Sequence, residues 1–329
     1  AKMFPMIIVT GGAGFIGSVL AAKLNELGER ALLIVDQKAR KSPKWENIEK
    51  RYFQDYLESD EFIDRLEKGE WNGKIKAVFH MGACTDTTER DESYLRQNNF
   101  EYTRRLAEWV IANKVYFSYA SSAATYGAGE LGFSDDDAKT PRLKPLNPYG
   151  QSKLDFDIWA LKNGLGNKIT GFRFFNVYGP NEYHKGEMRS LVHKGFGQIR
   201  DTGKMRLFRS YKKEYPDGGQ KRDFIYVKDA VDTLVWFFKN PKWKGVYNLG
   251  TGRAQTWNDL AKALFKAMGR AENIEYIEMP DSIKNQYQYF TQSDPAKLLK
   301  TGCPDSFRDL EAGVSDYIRN YLLKENPYL

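Results

Sequence analysis

Cysteine and histidine are scarce in this sequence of 329 residues, which contains two cysteines and three histidines. Cys84 and Cys303 are the two cysteines, and this excludes both a disulfide framework and a multi-cysteine zinc site. No pair of histidines has the spacing of a zinc-binding HExxH motif, so we expect no metal site. The low cysteine content fits a reducing compartment.

Long apolar segments are also missing. Glycines, Thr10 and Ser18 interrupt the first thirty residues, and no later segment approaches the roughly 20 apolar residues of a membrane span. We therefore expect a soluble cytoplasmic protein with no membrane partner. The net charge is +7, but lysines and arginines are spread along the chain. A basic solvated surface with a few phosphate contacts is favoured over a nucleic-acid partner.

Apolar runs typical of strands alternate with helical patterns through the first half of the chain. Strands are expected at 6–10, 31–36, 76–80, 115–120 and 168–174, and helices near 15–27, 59–68, 92–112 and 149–163. Such alternation is typical of an α/β fold whose parallel sheet is covered on both faces. The prediction is a Rossmann-type, doubly wound parallel sheet.

The pattern becomes irregular after Phe174. A charged, glycine-containing segment follows at 211–221, and strand and helix patterns return at 222–238, 245–250, 256–268, 274–280 and 307–323. We expect a cofactor domain of residues 1–175 with a return segment at about 222–250. Residues of about 176–221 and 251–329 would form a smaller, interleaved α/β substrate-binding domain.

A glycine-rich turn follows the first strand pattern, in the sequence MIIVTGGAGFIG at 6–17. Gly11 permits a tight turn, Gly14 lets backbone N–H groups approach a pyrophosphate, and Gly17 allows close helix packing. The second strand pattern ends in Asp36, where an acidic residue meets the adenosine ribose of a bound dinucleotide. The turn and Asp36 together predict a dinucleotide site.

The residues after Asp36 give conflicting signals on the choice of dinucleotide. A carboxylate repels a 2′-phosphate, which favours NAD. The basic residues that follow could neutralise that phosphate and favour NADP; they are Lys38, Arg40, Lys41 and Lys44.

Tyr149 and Lys153 stand four residues apart at the start of a predicted helix, so their side chains share one face. A tyrosine can act as a base if a neighbouring ammonium lowers its pKa. The strand pattern before this helix ends in Ser121 and Ser122, whose hydroxyls could hydrogen-bond a reacting alcohol. These features predict an enzyme that handles a hydroxyl proton.

In this order and spacing, the sequence resembles the extended short-chain dehydrogenase/reductases, the family of nucleotide-sugar epimerases and dehydratases. The matching tracts are TGGAGFIG (10–17), VFHMGAC (78–84), YASSAATYG (119–127), YGQSK (149–153), FRFFNVYGP (172–180) and KRDFIYVKDAV (221–231). Four further tracts resemble the group that inverts carbon 6 of an ADP-linked heptose: GACTDTTE (82–89), NVYGPNEYHKGEM (176–188), YNLGTGRAQTW (247–257) and YQYFTQSD (287–294). The resemblance covers nearly the whole chain.

This resemblance implies catalytic roles for four residues. Tyr149 would take or give the hydroxyl proton, Lys153 would lower its pKa and hold the cofactor ribose, and Ser122 would hydrogen-bond the carbonyl. Lys185 would act as a second acid/base on the opposite face of the substrate. The resemblance also implies NADP as cofactor, with NAD possible, ADP-heptose as the small-molecule substrate in lipopolysaccharide-core precursor synthesis, and a homo-oligomer, specifically a pentamer.

Binding residues follow from the same resemblance. Those for the cofactor are Gly11, Gly14, Phe15, Ile16, Gly17, Asp36, Gln37, Lys44, Met81, Gly82, Ala83, Cys84, Thr85, Asn98, Tyr149, Lys153, Val177 and Lys185. Those for the substrate are Ser122, Asn176, Glu187, Lys194, Phe208, Arg209, Ser210, Arg222 and Tyr287. Arg222 is the candidate diphosphate clamp, because a guanidinium binds phosphate oxygens bidentately.

The sequence departs from the family pattern at several positions. Met81 stands where better-known members have glutamate, Glu187 and Lys194 replace an expected serine and histidine, and the 211–221 loop is longer than usual.

Two alternatives remain beside the epimerase. One is another nucleotide-sugar epimerase or a dehydratase, although Ala123 to Thr125 occupy the place where dehydratases carry an acid/base pair. The other is a non-catalytic dinucleotide-binding regulator. Such proteins usually lose the tyrosine or the lysine, and both are present here.

Overall fold

A computed structural model describes residues 5–284 and 287–329. The strands are β1 (Met6–Thr10), β2 (Leu32–Asp36), β3 (Asp55–Glu58), β4 (Ile75–His80), β5 (Tyr116–Ser122), β6 (Thr170–Phe174), β7 (Asn176–Tyr178), β8 (Met205–Phe208), β9 (Lys221–Tyr226), β10 (Gly245–Leu249), β11 (Ala254–Thr256) and β12 (Ile274–Ile277). The helices are α1 (Phe15–Glu26), α2 (Ser59–Glu67), α3 (Glu92–Leu95), α4 (Tyr102–Ala112), α5 (Pro148–Lys162), α6 (Leu191–Thr202), α7 (Val227–Lys239), α8 (Trp257–Ala267), α9 (Asp281–Lys284), α10 (Ala296–Leu299) and α11 (Leu310–Tyr317).

Seven parallel strands form the main sheet, in the order β10-β6-β5-β4-β1-β2-β3. The chain winds outward from β1 to β3 and then returns to β4 on the other side of β1. The strand order therefore reverses between β1 and β4, and this is the place where open α/β sheets bind ligands at their carboxyl edge.

The strands are apolar on both sides because helices cover both faces of the sheet. Ile7 and Val9 of β1 belong to a core cluster that includes residues of α1 and α7. Ile8, between them, belongs to a second cluster that includes residues of α2, α4 and α5. Successive residues of a strand point to opposite faces, so this alternation places one cluster on each side.

Two smaller sheets stand apart from the main one. Strands β11, β9 and β7 form a three-stranded sheet, and β12 pairs with β8. A third core cluster surrounds them, with residues of α6, α8 and α11 such as Leu264 and Tyr317. Within the segment at about 222–250, β9 joins this small sheet, whereas β10 extends the main sheet beside β6.

The predicted fold class is confirmed, and the five strands expected in the first half are β1, β2, β4, β5 and β6. The sequence analysis missed β3, whose four residues, DYLE, begin and end with a charged side chain. The helix expected at 92–112 is divided by a π-helical segment at Arg96–Glu101. Nowhere in residues 5–284 and 287–329 is a helix long and apolar enough to cross a membrane.

A buried ion pair joins α5 to the strands beneath it. Asp157 and Arg173 are both fully buried, and Asp157 Oδ2 accepts from Arg173 Nε at 3.0 Å. The same carboxylate accepts from the hydroxyls of Tyr119 and Ser121 on β5, each at 2.9 Å. Because every bond runs from α5 to β5 or β6, the pair sets the position of α5 against the strand that ends in Ser122.

Replacing Asp157 with Ala should lower the free energy of unfolding by about 3–5 kcal/mol, because Arg173 would be left buried without its counter-charge. Urea denaturation checks this. The matched control is Asp201→Ala, which breaks an exposed pair with Arg200 and should leave the urea midpoint unchanged. Equal midpoints for the two variants would contradict the assignment.

Candidate active site

The backbones of two loops meet where the strand order reverses. Gly11 follows β1 with φ +62°, and a Cβ built on it would lie 2.6 Å from the Cα of Gly82, which follows β4. The Thr10 carbonyl accepts from Met81 N at 3.1 Å, and the Thr10 hydroxyl accepts from Gly82 N at 3.3 Å. Side chains are therefore excluded at this point.

The turn from β1 into α1 is equally tight. Gly14 occupies the N-cap of α1 and makes no side-chain cap. A Cβ on Gly17 would lie 2.1 Å from the Gly11 carbonyl oxygen, so only glycine lets the helix approach the turn this closely. The first N–H groups of α1 are suited to hold a phosphate, because no side chain covers them and the helix dipole favours an anion.

Asp36 closes the other side of this turn. Its Oδ2 accepts from Ala13 N at 3.0 Å, and its Oδ1 accepts from Gln37 N at 2.7 Å and from Lys44 Nζ at 2.9 Å. Gln37 Nε2 donates to Asn98 Oδ1 at 3.1 Å. The structure thus brings together four residues that the sequence analysis predicted to bind the cofactor, of which Asp36 and Lys44 were assigned to its adenosine end.

A continuous cleft runs along this edge of the sheet, through two adjoining cavities. Of the predicted cofactor residues, it is lined by Gly11, Gly14, Phe15, Ile16, Gly17, Asp36, Gln37, Lys44, Met81, Gly82, Ala83, Cys84, Thr85, Asn98 and Lys185. Val177, on β7, is half-buried and packs against the core cluster that contains α1. His184 and Met188 also line the cleft, although the sequence analysis did not single them out. Their proximity to Lys185 within the tract NVYGPNEYHKGEM (176–188) is the feature of the sequence that could have identified them.

The π-helical segment links this cleft to α5. Asn99 Oδ1 accepts from Cys84 N at 2.9 Å, and its Nδ2 donates to the Cys84 carbonyl and to Ser152 Oγ, both at 3.0 Å. Segments of π-helix are often found at functional sites. Here the segment places Asn98 toward the cleft while its neighbour Asn99 anchors the 81–85 stretch.

Tyr149 and Lys153 lie in the first turns of α5, whose N-cap Asn147 accepts from Gly150 N at 2.8 Å. Both side chains are buried. Lys153 Nζ donates to the Ala120 carbonyl of β5 at 2.8 Å, two residues before Ser122. The fixed backbone of β5 therefore holds the lysine near the predicted serine.

Burial perturbs the protonation of both residues. It raises the pKa of Tyr149, although the Ser122 hydroxyl acts in the opposite direction. It lowers the pKa of Lys153 to about 8, although Asp157 one turn away acts to raise it. We expected Lys153 to lower the pKa of Tyr149, but the groups that act on this pKa are burial, Ser122 and Cys84. Lys153 instead makes its hydrogen bond to the Ala120 carbonyl.

Lys185 reaches the cleft from a 3₁₀-helical turn at Tyr183–Met188. It is half-buried, and its Nζ lies 5.7 Å from the ring centroid of Phe15. Burial lowers the pKa of Lys185, although Glu182 acts to raise it. An amine with a lowered pKa is better able to exchange a proton near neutral pH.

Arg222, the candidate diphosphate clamp, lies away from this turn, on β9. It is 7 % exposed, and its guanidinium packs 5.5 Å from the ring of Trp257 and 5.3 Å from that of Tyr287. Phe208 lies 6.2 Å from Tyr287, ring to ring. The structure therefore brings three predicted substrate residues together in a cationic, aromatic group.

The other predicted substrate residues are more exposed. Arg209 pairs with Asp217 and Glu278 at 3.6 and 3.4 Å, and Ser210 N donates to Asp217 at 2.8 Å. Asn176 begins β7 and is exposed. Glu187 has a side chain that is 93 % exposed and pairs with Lys194 at 3.4 Å. The structure does not place Glu187 in the cleft.

Among the residues that the structure describes, no group of three or more histidine, cysteine, aspartate or glutamate side chains is arranged to hold a metal ion.

Comparison with known proteins agrees with this geometry. Residues 7–250 match the NAD dependent epimerase/dehydratase family. The chain is 52% identical over 324 residues to ADP-L-glycero-D-manno-heptose-6-epimerase of Nitratidesulfovibrio vulgaris (strain DP4), covering 98% of this chain and 100% of that protein. It is 46% identical over 333 residues to the Fusobacterium nucleatum protein of the same name, with the same coverage.

A solved structure of a similarly named protein has the same fold. The crystal structure of Helicobacter pylori ADP-L-glycero-D-manno-heptose-6-epimerase superposes with a TM-score of 0.80 and is 27% identical in sequence. The match covers 97% of this chain and 96% of that one. The chain belongs to the NAD-dependent epimerase/dehydratase family.

Proposed function

We propose that this protein converts ADP-D-glycero-D-manno-heptose to ADP-L-glycero-D-manno-heptose by inverting carbon 6, a step in lipopolysaccharide-core precursor synthesis. The observation that carries the proposal is the presence of two proton-handling groups from different elements, Tyr149 on α5 and Lys185 on the 183–188 turn. Cys84 lines the cleft that Lys185 enters and is close enough to Tyr149 to affect its pKa. Near full-length identity to epimerases of this substrate supports the same function.

The reaction requires a redox step, because the hydrogen on an unactivated carbinol carbon is too weakly acidic to be removed as a proton. When bound, the dinucleotide supplies this chemistry by accepting two electrons with the carbon-6 hydrogen and then returning them to the other face. The chain itself binds the sugar, orients it and moves the hydroxyl proton.

We assign to Tyr149 the transfer of the carbon-6 hydroxyl proton in one of the two epimers. Because burial raises its pKa, the neutral phenol is favoured, and it can donate to the substrate oxygen. Ser122 is the second hydrogen-bond donor to that oxygen, and Lys153 holds the cofactor ribose. Lys185 takes the corresponding role for the other epimer, so each face of the keto intermediate has its own acid/base.

We propose NADP as the cofactor, with NAD as the possible alternative. The carboxylate of Asp36 would repel a 2′-phosphate, but Lys44 lies 2.9 Å from it and balances its charge. Of the basic residues nearby, Arg40 is engaged with the rings of Trp45 and Tyr56. Lys44 lines the cleft beside Asp36, whereas Lys38, Arg40 and Lys41 are not among its lining residues, and we propose Lys44 as the partner for the 2′-phosphate.

The remaining assignments are proposals of the same kind. We propose a cofactor domain at 1–175 with a return segment at about 222–250, and a substrate domain at about 176–221 and 251–329. Within the return segment, β10 extends the main sheet, whereas β9 pairs with β7 and β11. Residues 1–4 and 285–286 lie outside the described part of the chain. We also propose a homo-oligomer and a cytoplasmic location. A dehydratase is disfavoured because Ala123, Ala124 and Thr125 follow the serine.

Purified protein should carry stoichiometric NADP, because Lys44 offsets the repulsion between Asp36 and the 2′-phosphate. Denaturation followed by an enzymatic assay of the released nucleotide measures this. Lys44→Gln should shift the content toward NAD, whereas Lys50→Gln, an exposed lysine, should leave it unchanged. Stoichiometric NAD without NADP in the wild-type protein would overturn the choice.

Arg222→Ala should raise KM by about 10- to 100-fold with little change in kcat, because a diphosphate contact far from carbon 6 contributes uniform binding. Steady-state kinetics with ADP-heptose measures the split. Arg206→Ala is the control, since Arg206 is exposed and paired with Glu275. A loss confined to kcat would show that Arg222 does not bind the diphosphate.

Tyr149→Phe and Lys185→Met should each reduce epimerisation by at least about 10²-fold while keeping bound cofactor, because each removes a positioned acid/base. The exposed Lys204→Met is the control. An aldehyde analogue sharpens the test, since its dismutation requires only one base. Single variants should retain part of that activity, and the double variant should lose it. Near wild-type epimerisation by Lys185→Met would leave a one-base mechanism centred on Tyr149.

A further inference from the structure

The turn that carries Lys185 is attached to the glycine-rich turn through Asn47. This residue ends a 3₁₀ helix at Pro43–Asn47 and is 1 % exposed. Its Nδ2 donates to the Ala13 carbonyl at 2.9 Å and lies 3.2 Å from His184 Nδ1. One buried amide thus contacts both the predicted phosphate turn and the residue before Lys185.

The contact with Asn47 determines which nitrogen of His184 carries the proton. Because the amide nitrogen can only donate, Nδ1 must accept, and the hydrogen of the neutral ring is on Nε2. Burial lowers the pKa of His184 to about 4, with the charges of Lys44 and Lys185 acting in the same direction, whereas Asp36 and the Asn181 backbone act to raise it. The ring is therefore neutral near pH 7 and carries a single N–H.

His184 lies in surroundings that suit an anion. It lines the same cavity as Gly14, at the uncapped start of α1, and as the ammonium groups of Lys44 and Lys185. Asp36 is the acidic residue that acts on His184, and its carboxylate is already hydrogen-bonded to Lys44 and two backbone N–H groups. Asp86 also lines this cavity, and its Oδ1 accepts from the backbone N–H and the hydroxyl of Thr88. The start of α1 and the two lysines therefore make the cavity suited to an anion.

A second attachment limits the movement of this turn. Asn181 is buried with φ +73°, and its Nδ2 donates to Ser18 Oγ on α1 at 3.0 Å. The Tyr183 hydroxyl donates to the Pro327 carbonyl at 2.8 Å. Because both residues lie within three positions before His184, these bonds fix the backbone that leads to the imidazole.

We propose that His184 is a further cofactor-binding residue, which donates its Nε2–H to a phosphate group of the bound dinucleotide, and that Asn47 is the residue that positions it. The phosphate could be part of the pyrophosphate or the 2′-phosphate, and both accept the same hydrogen bond. The proposal rests on the function proposed above in that it requires a bound dinucleotide.

The rate of cofactor release tests the proposal without measuring catalysis. Holoenzyme is loaded by exchange with radiolabelled NADP, 2′-phospho-ADP-ribose or ADP-ribose, and release is followed during a chase with unlabelled nucleotide. His184→Phe should release NADP about 10-fold faster, the scale of a hydrogen bond to a charged group. His184→Gln keeps a donor and should restore most of the retention. His193→Gln, outside the cleft lining, is the matched control and should match the wild type.

The two probes identify the phosphate. If the pyrophosphate is the acceptor, His184→Phe speeds the release of both probes; if the 2′-phosphate is the acceptor, only 2′-phospho-ADP-ribose is released faster. Either outcome supports the proposal. Unchanged release of all three nucleotides from folded His184→Phe overturns it, and His184→Ala serves the same comparison if the phenylalanine variant does not fold.

A double variant tests the role of Asn47. If Asn47 acts by positioning His184, Asn47→Ala added to His184→Phe should cause no further acceleration of release. Full additivity would show that Asn47 acts through Ala13 alone and would overturn its positioning role. Failure of the proposed function and failure of this proposal can be told apart. If the wild-type protein does not epimerise ADP-heptose but the His184 variant still releases cofactor faster, the proposed epimerase is contradicted and the cofactor contact is supported.

Discussion

The close approach of two backbones at the carboxyl edge of the sheet is the constraint on which the rest of the site depends. Gly11 and Gly82 meet between β1 and β4, where an added Cβ would lie 2.6 Å from its neighbour. This contact lets the turn, the start of α1 and the 81–85 stretch line one cleft. Asp36, Asn99 and Asn47 then attach the adjoining elements to that cleft, each through hydrogen bonds to backbone groups.

Burial gives the site its chemical character. Tyr149 and Lys153 lose solvent on folding, and the ion pair of Asp157 with Arg173 lies one turn further along α5. Desolvation lowers the pKa of Lys153 to about 8, and the charge of Asp157 limits this decrease. The ammonium form therefore predominates below about pH 8. The same carboxylate bonds Ser121, beside Ser122. One buried carboxylate, that of Asp157, therefore both anchors α5 to the sheet and affects the pKa of Lys153.

Local sequence patterns were sufficient for six of the seven strands of the main sheet and for the glycine-rich turn at its carboxyl edge, because strand periodicity and glycine spacing are read over a few residues. They were insufficient for β3, which is short, and for the small sheets, whose pairing joins β7, β9 and β11 from distant parts of the chain. The same limit applies to single residues. His184 has no motif of its own, and the role that we propose for it rests on its contact with Asn47, which is 137 positions away. Likewise, the desolvation that raises the pKa of Tyr149 depends on packing that no local pattern contains.

Transient oxidation at carbon 6, with the same hydrogen returned, is the central claim, and NMR of a substrate labelled with deuterium at carbon 6 tests it most directly. ADP-D-glycero-D-manno-heptose carrying this label is incubated with the purified protein in ordinary water, with no added cofactor. We predict that the second carbon-6 diastereomer forms and that it retains the deuterium. Loss of the label to water, or no interconversion by protein that holds its dinucleotide, would contradict the account.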